Sequence, residues 1–316
     1  MSMVYVIHEN EEWLPPFADA LDAVDVEWES WHLDAGAIDL DAEPPDGVFY
    51  SRMSASSHTR GHDAAKDYTR SLLSWLESHG RTVVNGRRVL ELEMSKVDQH
   101  AALRAAGFDV PRTIAVIGRD DLTEQARRLP APFITKHNQG GKGLGVRRFD
   151  RHDDFDTYVS DDAFEEPVDG ITLLQEYLQP VEPRITRVEI VGGRFLYALT
   201  ADTSAGFELC PADGCAIDEA CPTGAGLFHW RPDVDGHPLI DDYLEFCRRW
   251  EIGIAGFEFI ETGDGRTVTY DVNTNTNYNP VVEAVAGRSG PAAVAASLAS
   301  LVASTPTAGE RTLVRG

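Results

Sequence analysis

The residues of this chain best suited to chemistry lie in two places. The first is the loop Asn138-Gln139-Gly140-Gly141-Lys142-Gly143-Leu144-Gly145, with Lys136 just before it. Glycine tolerates positive φ and lets backbone N–H groups close on a ligand, so such a loop can wrap an anion. Lys136 and Lys142 add the positive charge that phosphates need. The chain has only four lysines (Lys66, Lys96, Lys136 and Lys142), so two of them around one loop call for an explanation. Gly143 follows Lys142 where a P-loop would carry Ser or Thr, and a strand rather than a helix follows, which excludes the dinucleotide fingerprint. A flexible hairpin tip has the same composition, and the loop alone does not separate the two readings.

The second place is Gly256-Phe-Glu-Phe-Ile-Glu-Thr-Gly-Asp-Gly-Arg-Thr-Val-Thr-Tyr-Asp-Val-Asn273. Two alternating strands flank Asp264-Gly265, a strong hairpin signal. A two-residue turn there pairs Gly263 with Arg266, Thr262 with Thr267 and Glu258 with Asp271. Directly opposed Cβ atoms lie roughly 5 Å apart. Asn273 shares the face of Asp271, since side chains two apart on a strand point the same way. Opposed carboxylates repel unless a cation lies between them. Two carboxylates and an amide oxygen form an all-oxygen set suited to Mg2+, with Mn2+ as a substitute, and unsuited to zinc. An exposed hairpin in an acidic chain is the competing reading.

The elements that position these residues follow from the pattern. The 316 residues suggest two compact domains or one large domain built of lobes. Up to about residue 89, strand-like and helix-like segments alternate: Val4–Ile7, a helix from Phe17, Val26–Leu33, Val48–Tyr50, and an amphipathic helix through Tyr68, Leu72, Trp75 and Leu76. That order argues a parallel α/β layer. Residues 90–180 read as a second unit. A helix spans Met94–Ala106, strands lie at 114–117, 133–136, 146–149 and 171–178, and short helices lie at 120–129 and 153–159. Residues 181–316 are strand-rich: 185–191, 194–200, 256–260 and 268–273. One helix (239–249) lies among them, and a small-residue helix over 281–302 is interrupted near Gly290-Pro291.

Net charge is −24, from 28 basic and 52 acidic residues. A surface that acidic repels phosphate backbones and anionic lipids, so nucleic acid and membrane are excluded as expected partners. The start of the chain lacks a basic n-region and no stretch reaches the ~20 apolar residues of a span, so a cytoplasmic location is expected. Cys210, Cys215, Cys221 and Cys247 show no C-x2-C spacing and read as ordinary thiols.

Taken together, Lys96 at a helix start, Lys136 before the glycine-rich hairpin, the apolar strand ending Gln175-Glu176-Tyr177-Leu178, and Asp271-Val-Asn273 with upstream Glu258 occur in the order found in the ATP-grasp enzymes. The sequence resembles the RimK-like carboxylate–amine ligases of that superfamily (the alpha-L-glutamate ligase type), over most of its length. The resemblance implies an α/β fold with α+β lobes: an N-terminal pre-ATP-grasp domain (1–89), a central lobe carrying the loop (90–180) and a C-terminal lobe carrying the metal site (181–316). It implies that Lys96 and Lys136 contact the phosphates of ATP and that Gly140, Gly141, Lys142 and Gly143 close over them. Gln175, Glu176, Tyr177 and Leu178 hold adenine, and Glu182 holds the ribose. Glu258, Asp271 and Asn273 hold Mg2+, with Asp271 where Glu is commoner. Arg187, together with Lys142, serves the transferred phosphate. Two departures bear on the acceptor side: Ile185 stands where an acidic residue is expected, and Thr200-Ala201-Asp202 replaces a basic position.

The activity so implied is amide-bond formation through an acyl phosphate, releasing ADP and phosphate, with an amino acid or short peptide as substrate and a homo-oligomer as the assembly common among relatives. Arg52, His58 and Arg60, in a polar loop after a strand, are candidate docking groups for the carboxylate, with a solvated linker as the competing reading. A small-acid kinase on the same fold, or nucleotide binding without turnover, remains as an alternative.

Overall fold

The computed structural model describes residues 3–141, 143, 145–204 and 227–305. The chain opens with β1 (Met3–His8), α1 (Pro15–Ala23), β2 (Trp28–His32), β3 (Gly47–Arg52), α2 (Ala65–Ser78) and β4 (Thr82–Val84). These strands form an all-parallel sheet in the order β2-β1-β3-β4. Every residue of β3 is buried, as expected of a strand covered on both faces. Leu72, Leu73 and Leu76 of α2 fill one side of that sheet against Ile7 and Phe49.

Two helices follow, α3 (Arg87–Met94) and α4 (Lys96–Ala105). The single helix expected over 94–106 is therefore corrected. Ser95 takes an extended conformation (φ −137, ψ 111) and its hydroxyl caps α4 by accepting from the Asp98 N–H. The signal was present as Ser95-x-x-Asp98, a helix-start pattern. The break makes Lys96 the first residue of α4, in keeping with the helix start expected for it.

The next unit holds β5 (Thr113–Ile117), α5 (Leu122–Ala126), β6 (Phe133–His137), β7 (Arg147–Phe149), α6 (His152–Ser160) and β8 (Ile171–Glu176). Its antiparallel sheet has the order β5-β8-β6-β7, with Phe133, Phe149, Phe155 and Leu174 at its core. The glycine-rich loop joins β6 to β7 as an antiparallel hairpin. The third sheet comprises β9 (Arg184–Val191), β10 (Arg194–Asp202), β11 (Phe228–Trp230), β12 (Ile254–Glu261) and β13 (Thr267–Asn273), in the order β11-β10-β9-β12-β13. Strand β11 lies outside the sequence-based reading. Helix α7 (Pro238–Trp250) packs Ile240, Tyr243 and Phe246 against this sheet at Val188, Ala255 and Phe257.

The chain continues as α8 (Pro280–Ala286) and α9 (Gly290–Ser304). The interruption falls at Gly287–Ser289, just before the Gly290-Pro291 pair. Ser289 caps α9, and the helices meet at 79°. Gly290 admits no side chain, since a Cβ there would lie 2.2 Å from the Tyr278 ring. Val294, Ala295 and Leu298 of α9 are buried among residues of β1, β3 and β9, so this helix ties the first sheet to the third. Among the described residues, no single helix is long and apolar enough to cross a membrane. Cys247 is buried and has no disulfide partner among the described residues, and the other three cysteines lie outside them.

Candidate active site

The hairpin residues take their places from strand register. Glu258 on β12 pairs with Asp271 on β13 and, on its other side, with Arg187 on β9. The next row is Glu189, Gly256 and Asn273. The expected Glu258–Asp271 pair is present, but the register near the turn is not the expected one. Glu261 pairs with Thr267 and Ile260 with Val268, one residue out of step with a two-residue turn. A bulge between Glu258 and Phe259 restores the step and leaves Tyr270 as the extra residue. The Tyr270 hydroxyl donates to Glu258 Oε2 at 2.7 Å.

Arg187 is 4% exposed and fully engaged. Its Nε donates to Glu189 Oε1 at 2.6 Å, Nη1 to Glu258 Oε1 at 2.9 Å, and Nη2 to Thr276 Oγ1 at 2.6 Å. Burial opposes its charge, but Glu189 and Glu258 overcome that and raise its pKa. Glu189 was missed in the sequence, although Arg187-x-Glu189 on one strand places both on one face. The space for the guanidinium is Gly256: a Cβ there would lie 2.6 Å from Nη2. A guanidinium pinned at three points cannot swing aside without surrendering buried bonds. Gly256→Ala is therefore expected to cost about 1–3 kcal/mol of stability. Calorimetric melting checks this, and an unchanged Tm would show that the pocket around Arg187 yields.

Two lysines meet this row from other elements. Lys96, at the start of α4, bonds Asp271 Oδ1 at 2.5 Å. Burial works against both charges. The ion pair nevertheless raises the Lys96 pKa, and Lys96 and Lys136 hold the Asp271 carboxyl well below the usual carboxylate range. Lys136 on β6 has no ion pair among the described residues, and its ammonium lies 5.3 Å from the centre of the Tyr270 ring. Burial, and secondly the charge of Lys96, lower its pKa to about 8. Beneath them Glu93, whose pKa burial raises, accepts from the Thr274 N–H and hydroxyl at 2.7 and 2.8 Å.

The loop and α4 are joined directly. Asn138 Oδ1 accepts from the Val97 N–H at 2.9 Å, and the Lys96 N–H donates to the Asn138 carbonyl. The base of the loop thus caps the helix that carries Lys96.

A cavity of about 700 Å³ connects these groups. Lys96, Lys136, Arg187, Glu258, Asp271 and Asn273 line it, with Gly140, Gly141 and Gly143 at one edge and Gln175, Glu176, Tyr177 and Leu178 at another. The structure therefore brings together, around one cavity, all of these sequence candidates; Lys142 lies outside the described residues. Arg148 and Arg184, unremarked in the sequence, also line it, and the Arg148 guanidinium sits 4.3 Å above the Tyr177 ring.

Four candidates fall elsewhere. Glu182 is exposed, pairs with Arg184 at 3.2 Å and is not in the lining. Arg52 is not a loop cation. It ends β3 and is 2% exposed, with its guanidinium 3.8 Å from the Phe17 ring centre and donating to the Trp13 and Thr276 carbonyls and to Asn277 Oδ1. It fastens the first sheet to the segment after β13. Arg60 is committed to Glu9 at 2.5 and 3.0 Å, and His58 to the Ala55 carbonyl. Neither lines the cavity; Ser54, Ala55 and Ser56 of the same segment do.

The arrangement suits a polyphosphate. A phosphate beside Lys136 favours its charged form, so its pKa rises on binding and a proton is taken up. Affinity for nucleotide is expected to fall as pH rises through about 8, the value in the free cleft. Calorimetric titrations in buffers of differing ionisation enthalpy should report proton uptake near that pH. Their coincidence would remove Lys136 from the phosphate site.

No protein-family model matches the chain, and no curated protein sequence does. Solved structures do. A RimK domain ATP-grasp protein from Sphaerobacter thermophilus superposes with a TM-score of 0.67 at 16% identity, over 94% of this chain and 99% of that one. D-cycloserine synthetase DcsG gives 0.66 at 15%, over 95% and 99%. The macrocyclase MdnC of Microcystis aeruginosa, bound to its precursor peptide MdnA, gives 0.62 at 15%, over 94% and 100%. The chain has the ATP-grasp fold.

Proposed function

We propose that this protein is an ATP-dependent ligase that joins a carboxylate to an amine. The observation that carries the reading is the row of Arg187, Glu258 and Asp271 facing Lys96 and Lys136 at one part of a cavity whose other edges are the glycine loop and the 175–178 segment. In this reading residues 90–180 and 181–316 form the two lobes that hold ATP, and the 175–178 segment takes adenine. ATP-grasp neighbours include PsnB complexed with Mg and ADP.

A substrate carboxylate oxygen attacks the γ-phosphorus, the bond to the bridging oxygen breaks, and ADP leaves. The amine nitrogen then attacks the acyl carbon of the acyl phosphate, the C–O bond to phosphate breaks, phosphate leaves, and the nitrogen gives up its proton. In this reading Lys96, Lys136 and Arg187 face the negative charge that grows in the first step, and fixed cations in a site closed to water stabilise such charge strongly. An acyl phosphate hydrolyses, so closure of Gly140–Gly145 would serve to exclude water.

The donor set fits magnesium: the Glu258 and Asp271 carboxylates and the Asn273 carboxamide, all oxygen and on adjacent strand positions. In the free cleft, Lys96 and Arg187 balance those carboxylates. Bound there, the ion would supply positive charge that offsets the negative charge of the phosphates. Mg2+ with ATP is expected to raise Tm by an amount that grows with ligand concentration.

The direct test supplies panels of acids and amines with ATP and follows ADP release, with mass spectrometry of the products. ADP released only when both partners are present, with an amide product, is the expected result. ADP formed with acid alone and a stable phosphorylated product would make it a kinase. Nucleotide binding with no ADP from any pair would make it a binding protein.

A further inference from the structure

The polar row Asp271–Glu258–Arg187 stops at β9. Opposite Arg187 on β10 stands Leu199. Two residues along each strand, on the same face, comes a second row: Ile185 on β9, Ala201 on β10 and Phe228 on β11, joined by the pairs Ile185–Ala201 and Ala201–Phe228. Strand register thus makes neighbours of the two departures of the sequence, Ile185 and the Thr200-Ala201-Asp202 run. Ile185, Leu199, Ala201, Phe228 and Ile260 all line the cavity. Phe228 and Ile260 are half-buried, Ile185 is 7% exposed, and Leu199 and Ala201 lie deeper, at the floor.

None of these five side chains carries a polar atom, and the neighbouring arginines are engaged. Arg187 is paired with Glu189 and Glu258, and Arg184 with Glu182 at 3.2 Å. A charged or hydrogen-bonding group laid along this row would give up water and find no partner in it, which costs free energy. An apolar group laid there gains by leaving water. Successive residues on one face of a strand are roughly 7 Å apart, so the second row lies within reach of the side group of a molecule whose carboxylate is beside Arg187.

We propose that the acid substrate carries an apolar side group, branched aliphatic or aromatic, received by the row Ile185–Ala201–Phe228, and that acids with a charged or carboxamide side group are rejected. This rests on the ligase reading of the same cavity. The acid and not the amine is assigned here because its carboxylate has to reach the phosphate beside Arg187, and its acyl group then lies next to that residue.

The test isolates the acid half by letting hydroxylamine stand in for the amine. Its nitrogen attacks the acyl carbon of the acyl phosphate, phosphate leaves, the nitrogen gives up a proton, and a hydroxamate remains to be measured. Full-length protein with ATP and Mg2+ is given acids as isosteric pairs: leucine against asparagine, and 4-methylpentanoate against succinamate, with 3-phenylpropanoate and glutamate beside them. Calorimetry with a non-hydrolysable ATP analogue measures binding of the same acids. The apolar member of a pair should exceed its polar isostere by about tenfold or more in kcat/KM. Ile185→Val, which removes one methylene, should raise KM for the best apolar acid by about fourfold, and Ile185→Ala by about tenfold or more, with affinity for the ATP analogue unchanged. The valine variant carries the test if the alanine variant fails to fold. Polar isosteres used or bound as well as the apolar acids would overturn the proposal. So would an apolar preference untouched by Ile185→Val, or the absence of binding by any acid. A loss of analogue affinity in place of acid affinity would assign the row to the nucleotide and equally overturn it. Apolar acids that bind in an Ile185-dependent way yet give neither hydroxamate nor ADP would sink the ligase reading and leave the row's preference standing.

Discussion

Asp271→Asn is expected to lower ADP release by roughly 10²–10³-fold, the scale set by removing one preorganised electrostatic group from a transition-state site. The substitution preserves size and keeps an oxygen for Lys96, so packing is little changed. What it removes is the charge that Lys96 neutralises and that, in the ligase reading, helps hold magnesium. With the carboxylate gone, Lys96 keeps only the more distant Glu93 and Glu258 against its burial, and its pKa falls. Breaking a buried pair is destabilising, here by about 1–3 kcal/mol because the carboxamide oxygen still accepts. Asn273→Ala should also depress turnover, with a smaller loss of stability, because it removes a neutral group. ADP release at the wild-type rate from folded Asp271→Asn, or from wild type in excess chelator, would remove the metal site from this hairpin.

Lys136→Met should move affinity and stability in opposite directions. In the free cleft the ammonium is buried, unpaired among the described residues, and repelled by Lys96. A methionine keeps most of the bulk without the charge, so the free protein should melt at a higher temperature. Nucleotide affinity should fall, because a charge-assisted contact of about 1.5–3 kcal/mol is lost, roughly 10- to 150-fold. Melting and calorimetric titration of the same preparation decide it. A variant that is less stable, or that binds ATP as tightly as wild type, would show that Lys136 serves the fold and not the phosphates. The same charge accounts for the pH dependence. Its pKa is depressed in the folded state, so the unfolded chain binds the extra proton between about pH 8 and its ordinary value of 10.5, and free-protein stability rises across that window.

Much of the site could be read from the sequence because it is local or periodic. The loop between β6 and β7, the strand ending at Glu176, and the pair Glu258–Asp271 each follow from residues close together in the chain. Even there the local pattern is incomplete. The two-residue turn predicts the right partner for Glu258, yet the pairs nearest the turn are shifted by one, and only the bulge at Tyr270 brings the strands back into step. A bulge is set by what packs on the two faces of the sheet, and no feature of the turn sequence reports it.

By itself, the sequence determined the strands and helices whose polar and apolar residues alternate, the glycine loop, and the identity of the groups that can carry charge. Only the tertiary structure decided which of those charges are free to work. Arg52 and Arg60 read as equivalent loop cations, but one is stacked on Phe17 and locked to carbonyls from across the molecule, while the other is held by Glu9. Lys96 and Lys136 read as a pair, but one finds Asp271, 175 residues away, and the other finds none among the described residues. The physical reason is that the state of a buried charge depends on distance and on exclusion of water, and both are fixed by contacts between segments far apart in the chain.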